Sequence, residues 1–158
     1  MSHLRTINRN QSGQALVEFT LVLPVLLLLF FGMLDFGKAY NYWNDANHLT
    51  AEGVRFAVVN RKPDPANAAS LQVQIRNQAD TGELRTGGTS AVSAPAQVCV
   101  EFPSGTSNVG DPVRVRMTFT YTFIPFIGAK VAALSKTIAT TSVMRLEALP
   151  TNYAAGCA

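Results

Sequence analysis

Charge is scarce in this chain. Of its 158 residues, 15% are Asp, Glu, Lys or Arg, well under the roughly 25% of ordinary soluble domains. Such depletion excludes a disordered polyelectrolyte. It also excludes a dedicated nucleic-acid binder, which needs clustered Lys and Arg to neutralise phosphates. The net charge of +3 is partly an end effect: Arg5 and Arg9 supply two of the 13 basic residues, and the other 11 face 10 acids, a balance of +1. Metal ligands are scarcer still. His3 and His48 are the only histidines, and no C-x-x-C or H-x-x-H pair occurs, so no metal site is expected. G-x-S-x-G and H-E-x-x-H are absent, no Cys/His pair has a recognisable spacing, and Gly87-Gly88-Thr89 lacks the Lys of a phosphate loop. Nothing points to catalysis or to a cofactor.

What the chain has instead is one long apolar run. Ala15 to Leu34 carries a single charge, Glu18, and Phe19 to Leu34 carries none. Twenty helical residues span about 30 Å, the thickness of a bilayer's hydrocarbon core. Val25 to Phe31 is apolar without interruption, so every face of a helix there is apolar, as lipid immersion requires. A buried core helix is the competing reading, but a chain of this length has little material to wrap twenty apolar positions. Arg5 and Arg9 precede the run, while only Lys38 is basic in the twenty residues after it. The positive-inside rule therefore puts the N-terminus in the cytoplasm and the C-terminal part outside.

The helical pattern does not stop at the end of the run. Phe36, Tyr40, Trp43, Ala46-Asn47, Thr50, Gly53-Val54 and Ala57 recur at helical spacing, with polar residues between them. The spacing predicts one helix to about Asn60, stopped by Pro63 and Pro65. This continuation argues against a secretory signal cut after about Ala39, whose apolar region is usually about 7–15 residues. Pro24 lies inside the apolar half, where it removes one helix hydrogen bond. Gly32 and Gly37 are not four apart, so no G-x-x-x-G packing motif is read there.

Beyond Pro65 the pattern predicts a small α+β domain. A second helix is expected over 67–79, with Asp64 as its cap before Pro65. Residues 81–94, rich in Gly, Thr and Ser, read as an exposed loop. Ala96–Phe102, Val113–Phe123 and Lys136–Leu146 read as antiparallel strands. In the second, Val113, Val115, Met117, Phe119, Tyr121 and Phe123 share one face, and Arg114, Arg116, Thr118, Thr120 and Thr122 the other. The third places Ile138, Thr140, Ser142, Met144 and Leu146 on one face. A sheet of three or four strands is expected to cover the Tyr40–Trp43 face of the long helix. Ile124, Phe126, Ile127, Val131 and Leu134 form an apolar patch, open to three readings: a cap on the sheet, a contact with the outer leaflet, or a contact with a neighbouring subunit. Two readings also stay open for Cys99 and Cys157: a bridge tying the tail to the first strand, as an oxidising compartment allows, or two free thiols.

The start of the long helix reads Ser12-Gly13-Gln14-Ala15-Leu16-Val17-Glu18-Phe19. It resembles the processing site of type IV pilins and pseudopilins: a Gly, four residues, then Glu. Glu18 followed by Phe19 is most similar to the TadE/TadF branch of the tight-adherence (Flp, type IVc) pilus system. Ala51-Glu52-Gly53-Val54-Arg55-Phe56-Ala57 resembles the segment that closes the long helix in TadE-like proteins. The strand pair between Val113 and Glu147, with its proline-containing apolar turn, resembles their C-terminal half.

The resemblance implies a pilin-like minor pseudopilin, a structural subunit and not an enzyme. A prepilin peptidase would cut after Gly13 on the cytoplasmic side, with Gly13, Gln14, Glu18 and Phe19 as the processing site. Residues 1–13 would be the leader, 14–34 the transmembrane helix, 35–60 its extracytoplasmic continuation and 61–158 the outside domain. Glu18 would engage the new amine of Gln14, in its own or a neighbouring subunit. Glu18, Pro24, Gly53 and Ala57 are the expected helix-packing positions. Other pseudopilins, the major Flp pilin, the peptidase, an inner-membrane assembly platform and membrane lipid are the implied partners. The rival reading is an unprocessed single-pass anchor for an extracytoplasmic binding or sensory domain.

Overall fold

A computed structural model describes residues 11–66, 68–123 and 134–158. Leu, a good helix former, is the commonest residue in the first half of the long helix, and Glu18 is the only charge among residues 11–34. Helix α1 runs from Gln11 to Val58, four residues earlier than the apolar run alone indicates. It continues through Pro24.

The two halves of α1 live in different surroundings. None of the most apolar window is buried. Leu16, Leu21, Leu29 and Met33 are exposed by 67%, 74%, 66% and 77%. From Ala39 onward a stripe at spacings of three and four turns inward: Ala39, Tyr42, Ala46, Leu49, Thr50, Val54, Ala57 and Val58 are all buried.

That stripe meets a four-stranded antiparallel sheet of order β3-β2-β1-β4. The strands are β1 (Gln97–Glu101), β2 (Pro112–Thr122), β3 (Ser135–Arg145) and β4 (Gly156–Cys157). In β2 the inward residues Val113, Val115, Met117, Phe119 and Tyr121 are buried, the alternation of a half-buried strand. In β3 the inward side is small and hydroxylated, which lets the helix approach closely. The Thr140 hydroxyl donates to the Ala46 carbonyl at 3.1 Å, and the Ser142 hydroxyl to that of Thr50 at 3.3 Å. The first bond satisfies a hydroxyl that would otherwise be buried unpaired.

Helix α2 (Leu71–Asn77) packs on α1 and β1, and α3 (Gly82–Thr86) follows it. Both differ from the sequence expectation. The α2 N-cap is Ser70, whose side chain accepts from the Val73 amide. Asp64 instead closes a turn by accepting from the Ala66 amide at 3.0 Å. The helix starts later because Pro65 and Ala66 form a turn, and Ser70 is the first good cap with apolar periodicity behind it. Helix α3 lies in the stretch expected to be loop, where Leu84 is fully buried. It ends at Gly87, whose φ of 63° suits glycine, and where a Cβ would come within 2.5 Å of the Ala94 backbone.

The chain after β3 closes the far end of α1. Asn60, at φ 52°, is the left-handed residue of a Schellman turn. Its amide donates to Ala57 and the Arg61 amide to Phe56, each at 3.0 Å. The Val58 carbonyl accepts from the amides of Glu147 and Ala148, and the Ala57 carbonyl also accepts the Tyr153 hydroxyl at 2.8 Å. The tail then pairs with β1 as β4, and Cys99 is bonded to Cys157. Most of the apolar patch from Ile124 to Val131 lies outside the described residues, with the turn it was read in.

The sheet does not cover the Tyr40–Trp43 face. Tyr40 and Trp43 are exposed by 60% and 42%, and Tyr42 is the aromatic that enters the core. The helical pattern offered two adjacent stripes. The one with the smaller residues, Ala39, Ala46 and Gly53, lets the sheet and α2 come close.

Candidate functional site

The residues expected at the processing site sit together at the bare end of α1. A Cβ at Gly13 would meet nothing within 4 Å among the described residues. One turn further the Gln14 carboxamide donates to the Glu18 carboxylate, Nε2 to Oε1, at 3.1 Å. A group at position 14 and the carboxylate at 18 are thus neighbours by helix geometry alone. Phe19 is 64% exposed. Thr20 turns its hydroxyl back onto the Leu16 carbonyl at 2.8 Å, which hides that polar group within the helix. Between Glu18 and Asp35 the helix surface carries no charge. It can make dispersion contacts all round, with lipid tails or with like helices.

The other two packing positions are used inside the chain. Gly53 is buried, and a Cβ there would lie 2.6 Å from Ile75 Cδ1, so the notch it makes is filled by α2. Ala57 is fully buried too. Of the four expected helix-packing residues, Glu18 and Pro24 are on open surface, while Gly53 and Ala57 belong to this chain's own core. Glu52 faces His48 across one turn at 3.9 Å.

A second cluster lies where the bare half of α1 meets the domain. The Tyr121 hydroxyl, at the end of β2, donates to Asp35 Oδ1 at 2.6 Å. Burial, and then the Asp35 carboxylate, push that hydroxyl well above the usual phenol range. Lys38 Nζ lies 3.9 Å from Glu83 at the start of α3. The Glu83 carboxyl is held below its usual value by its own backbone amide first, then by the Tyr42 hydroxyl and Lys38, against some desolvation. The Tyr42 ring meets Tyr121 edge-on at 5.6 Å. Asp45, two turns on, accepts from both the amide and the hydroxyl of Thr81 and so fixes the turn before α3.

Sequence reasoning singled out none of these pairs. The signal for one of them was present. Asp35 is the first charge after the apolar run, and Tyr121 is an inward tyrosine, whose hydroxyl needs a partner when buried. Nothing local marked Glu83, since α3 itself was not expected. Among the described residues no group of His, Cys, Asp and Glu side chains could hold a metal ion.

No curated protein and no solved structure matches the chain. A family model does, over residues 13–55, and its description is TadE-like protein. The match begins at Gly13 and ends at Arg55, so it takes in Glu18, the bare apolar half of α1 and most of the half that packs on the sheet. The likeness of the strand pair from Val113 to Glu147 lies outside it. Over Gly13 to Arg55, about a quarter of its length, the chain is similar to TadE-like proteins.

Proposed function

We propose that this chain is a minor pseudopilin of a bacterial tight-adherence pilus, an assembly subunit without enzymatic activity. The observation that carries the proposal is the Gly13–Glu18 pair at the head of a helix whose most apolar stretch is nowhere buried. In this reading residues 1–13 are a leader with Arg5 and Arg9 on the cytoplasmic side. Residues 14–34 cross the inner membrane, 35–60 continue the helix outside, and 61–158 form the extracytoplasmic domain. A prepilin peptidase cuts after Gly13. Glycine is a poor helix former, so the first turn of α1 opens readily at this bond. Glu18 then pairs with the freed amine of Gln14, in its own or a neighbouring subunit. The pairing offsets the cost of an acidic residue near hydrocarbon, about 2.5–3.5 kcal/mol at a helix centre and less towards the interface. The bare half packs with other pseudopilins and the major Flp pilin on an inner-membrane platform, priming or capping a pilus used for surface adhesion.

The decisive experiment is the mass and N-terminal sequence of the protein from native membranes, with and without the prepilin peptidase. A start at Gln14 that is lost without the peptidase is expected. A start at Met1 in both strains would overturn the proposal. The reading left would be an unprocessed anchor for a binding or sensory domain, which the continuity of α1 through the Gly13–Gln14 bond favours. A start near Tyr40 would indicate a secreted protein. The fold speaks against that cut, because it would discard Asp35, the partner of Tyr121.

A further inference from the structure

One flank of α1 carries Leu29, Met33, Phe36, Tyr40 and Trp43 at spacings of four and three, so they line a single stripe. The sheet leaves this stripe open. Phe36 is 67% exposed, and the rings of Tyr40 and Trp43 lie 5.6 Å apart on the surface. The stripe changes character along the axis. It is aliphatic at Leu29 and Met33, wholly apolar aromatic at Phe36, and amphipathic aromatic at Tyr40 and Trp43. Asn47 follows in the same register, polar and half-buried.

A seam for a partner helix has no need of such a gradient. A bilayer imposes one, since Tyr and Trp gather where hydrocarbon gives way to headgroups. The heights agree. From Glu18 to Trp43 the helix rises about 37 Å, against about 40–45 Å for a bilayer with both interfacial layers. Side chains on a helix lean towards its N-terminus, so the Trp43 indole lies below its own Cα, nearer the lipid. Lys38 is in the same stretch, with 55% of its side chain exposed and its ammonium 3.9 Å from the Glu83 carboxylate. Asp35 does not enter this layer bare, since the Tyr121 hydroxyl donates to it.

We propose that the Phe36–Tyr40–Trp43 flank is a lipid-contact surface lying in the outer interfacial layer of the bilayer, so that the domain rests on the membrane at its Asp35–Tyr121 end. The proposal rests on the reading that residues 14–34 cross a membrane, but not on pilus assembly.

Trp43 is the sole tryptophan, so the full chain carries its own probe. It is reconstituted at high lipid-to-protein ratio into phosphatidylcholine–phosphatidylglycerol vesicles and floated on a density gradient. Trp43 emission is then read with spin-labelled lipids bearing the label at the headgroup, high on the chain, or near the chain end. Co-flotation is expected, with loss of Trp43 emission greatest for the headgroup and shallow labels and a blue shift against the unfolded chain. Co-flotation with Trp43 quenched by aqueous iodide and not by lipid labels would overturn the inference while leaving the membrane reading intact. So would co-flotation with Trp43 shielded from both, the signature of a second copy covering the flank. Failure to float would overturn the membrane reading, and this inference with it.

Discussion

Asn60 does two jobs in one residue. Its backbone takes the left-handed turn that ends α1. Its carboxamide holds the tail, donating to the Thr151 hydroxyl at 2.8 Å and accepting from the Asn152 amide at 2.9 Å. Substitution separates the two. Asn60→Gly keeps the turn and loses the tail bonds, a loss of about 1–2 kcal/mol. Asn60→Ala loses the same bonds but keeps a Cβ in the left-handed region without the local polar compensation of asparagine, so it should be about 1 kcal/mol less stable than the glycine variant. Chemical denaturation of the two variants in detergent reads the difference, and equal losses would mean the turn carries no strain. Gly53 gives a second residue-scale test. Alanine is the better helix former by about 1 kcal/mol, yet the Gly53→Ala methyl meets Ile75 at 2.6 Å. A net destabilisation of about 1–3 kcal/mol is expected, with partial recovery in the double variant with Ile75→Val. Glu18 belongs at this scale too. Under the proposed pairing with an amine, Glu18→Gln keeps shape and loses charge. Processing after Gly13 should persist while assembly into pili falls, which immunoblotting of sheared filaments against whole cells would show.

Among the elements, β2 was the most legible in the sequence, because a strand with one wet face writes its period of two directly into residue type. The span of α1 was legible for a related reason, having no breaker before Asn60 that a membrane helix cannot absorb. The face it buries was not. Two neighbouring stripes satisfied the helical spacing, and the choice between Tyr40–Trp43 and Ala39–Tyr42–Ala46 was made by closeness of approach, which a one-dimensional pattern does not contain. Helix α3 was hidden because only Leu84, in a stretch of Gly and Thr, signals burial. Of the candidate site, Gly13 and Glu18 could be read from local spacing. The Asp35–Tyr121 pair joins positions 86 residues apart and needed the fold.

The tail is the element whose energetics are most accessible to test. The Cys99–Cys157 bridge closes a separation of 58 residues, which in the chain-entropy model contributes on the order of 4 kcal/mol at most. Cys157→Ser should lower stability by about 2–4 kcal/mol and speed amide exchange in β4 before β2, as hydrogen-exchange mass spectrometry would record. Tyr153 provides a pH test of the same element. Burial raises its hydroxyl to about 12, above the usual value of about 10. The phenol therefore favours the folded state fully below pH about 10, and its contribution is lost as pH rises through about 12. Across that window wild-type stability should fall towards that of Tyr153→Phe, and a constant gap between the two would contradict the assignment.

At the scale of the whole molecule, the core begins at Ala39. Every buried apolar residue among those described lies at or beyond it. Residues 35–158 should therefore fold without the apolar half, keeping the Asp35–Tyr121 bond. Near-ultraviolet circular dichroism like that of the full chain is expected, and an unfolded fragment would mean that the bare helix contributes to the fold. Between Leu34 and Ala39 the α-helix is unbroken. The sheet is therefore bolted to the anchor as a vane is to its shaft, and its compass heading is set by a residue count. One residue inserted between Leu34 and Asp35 swings the vane by about 100° and lifts it by about 1.5 Å, whereas four bring it nearly back to its bearing about 6 Å higher. Any array that registers the shafts side by side must also fix the bearing of every vane.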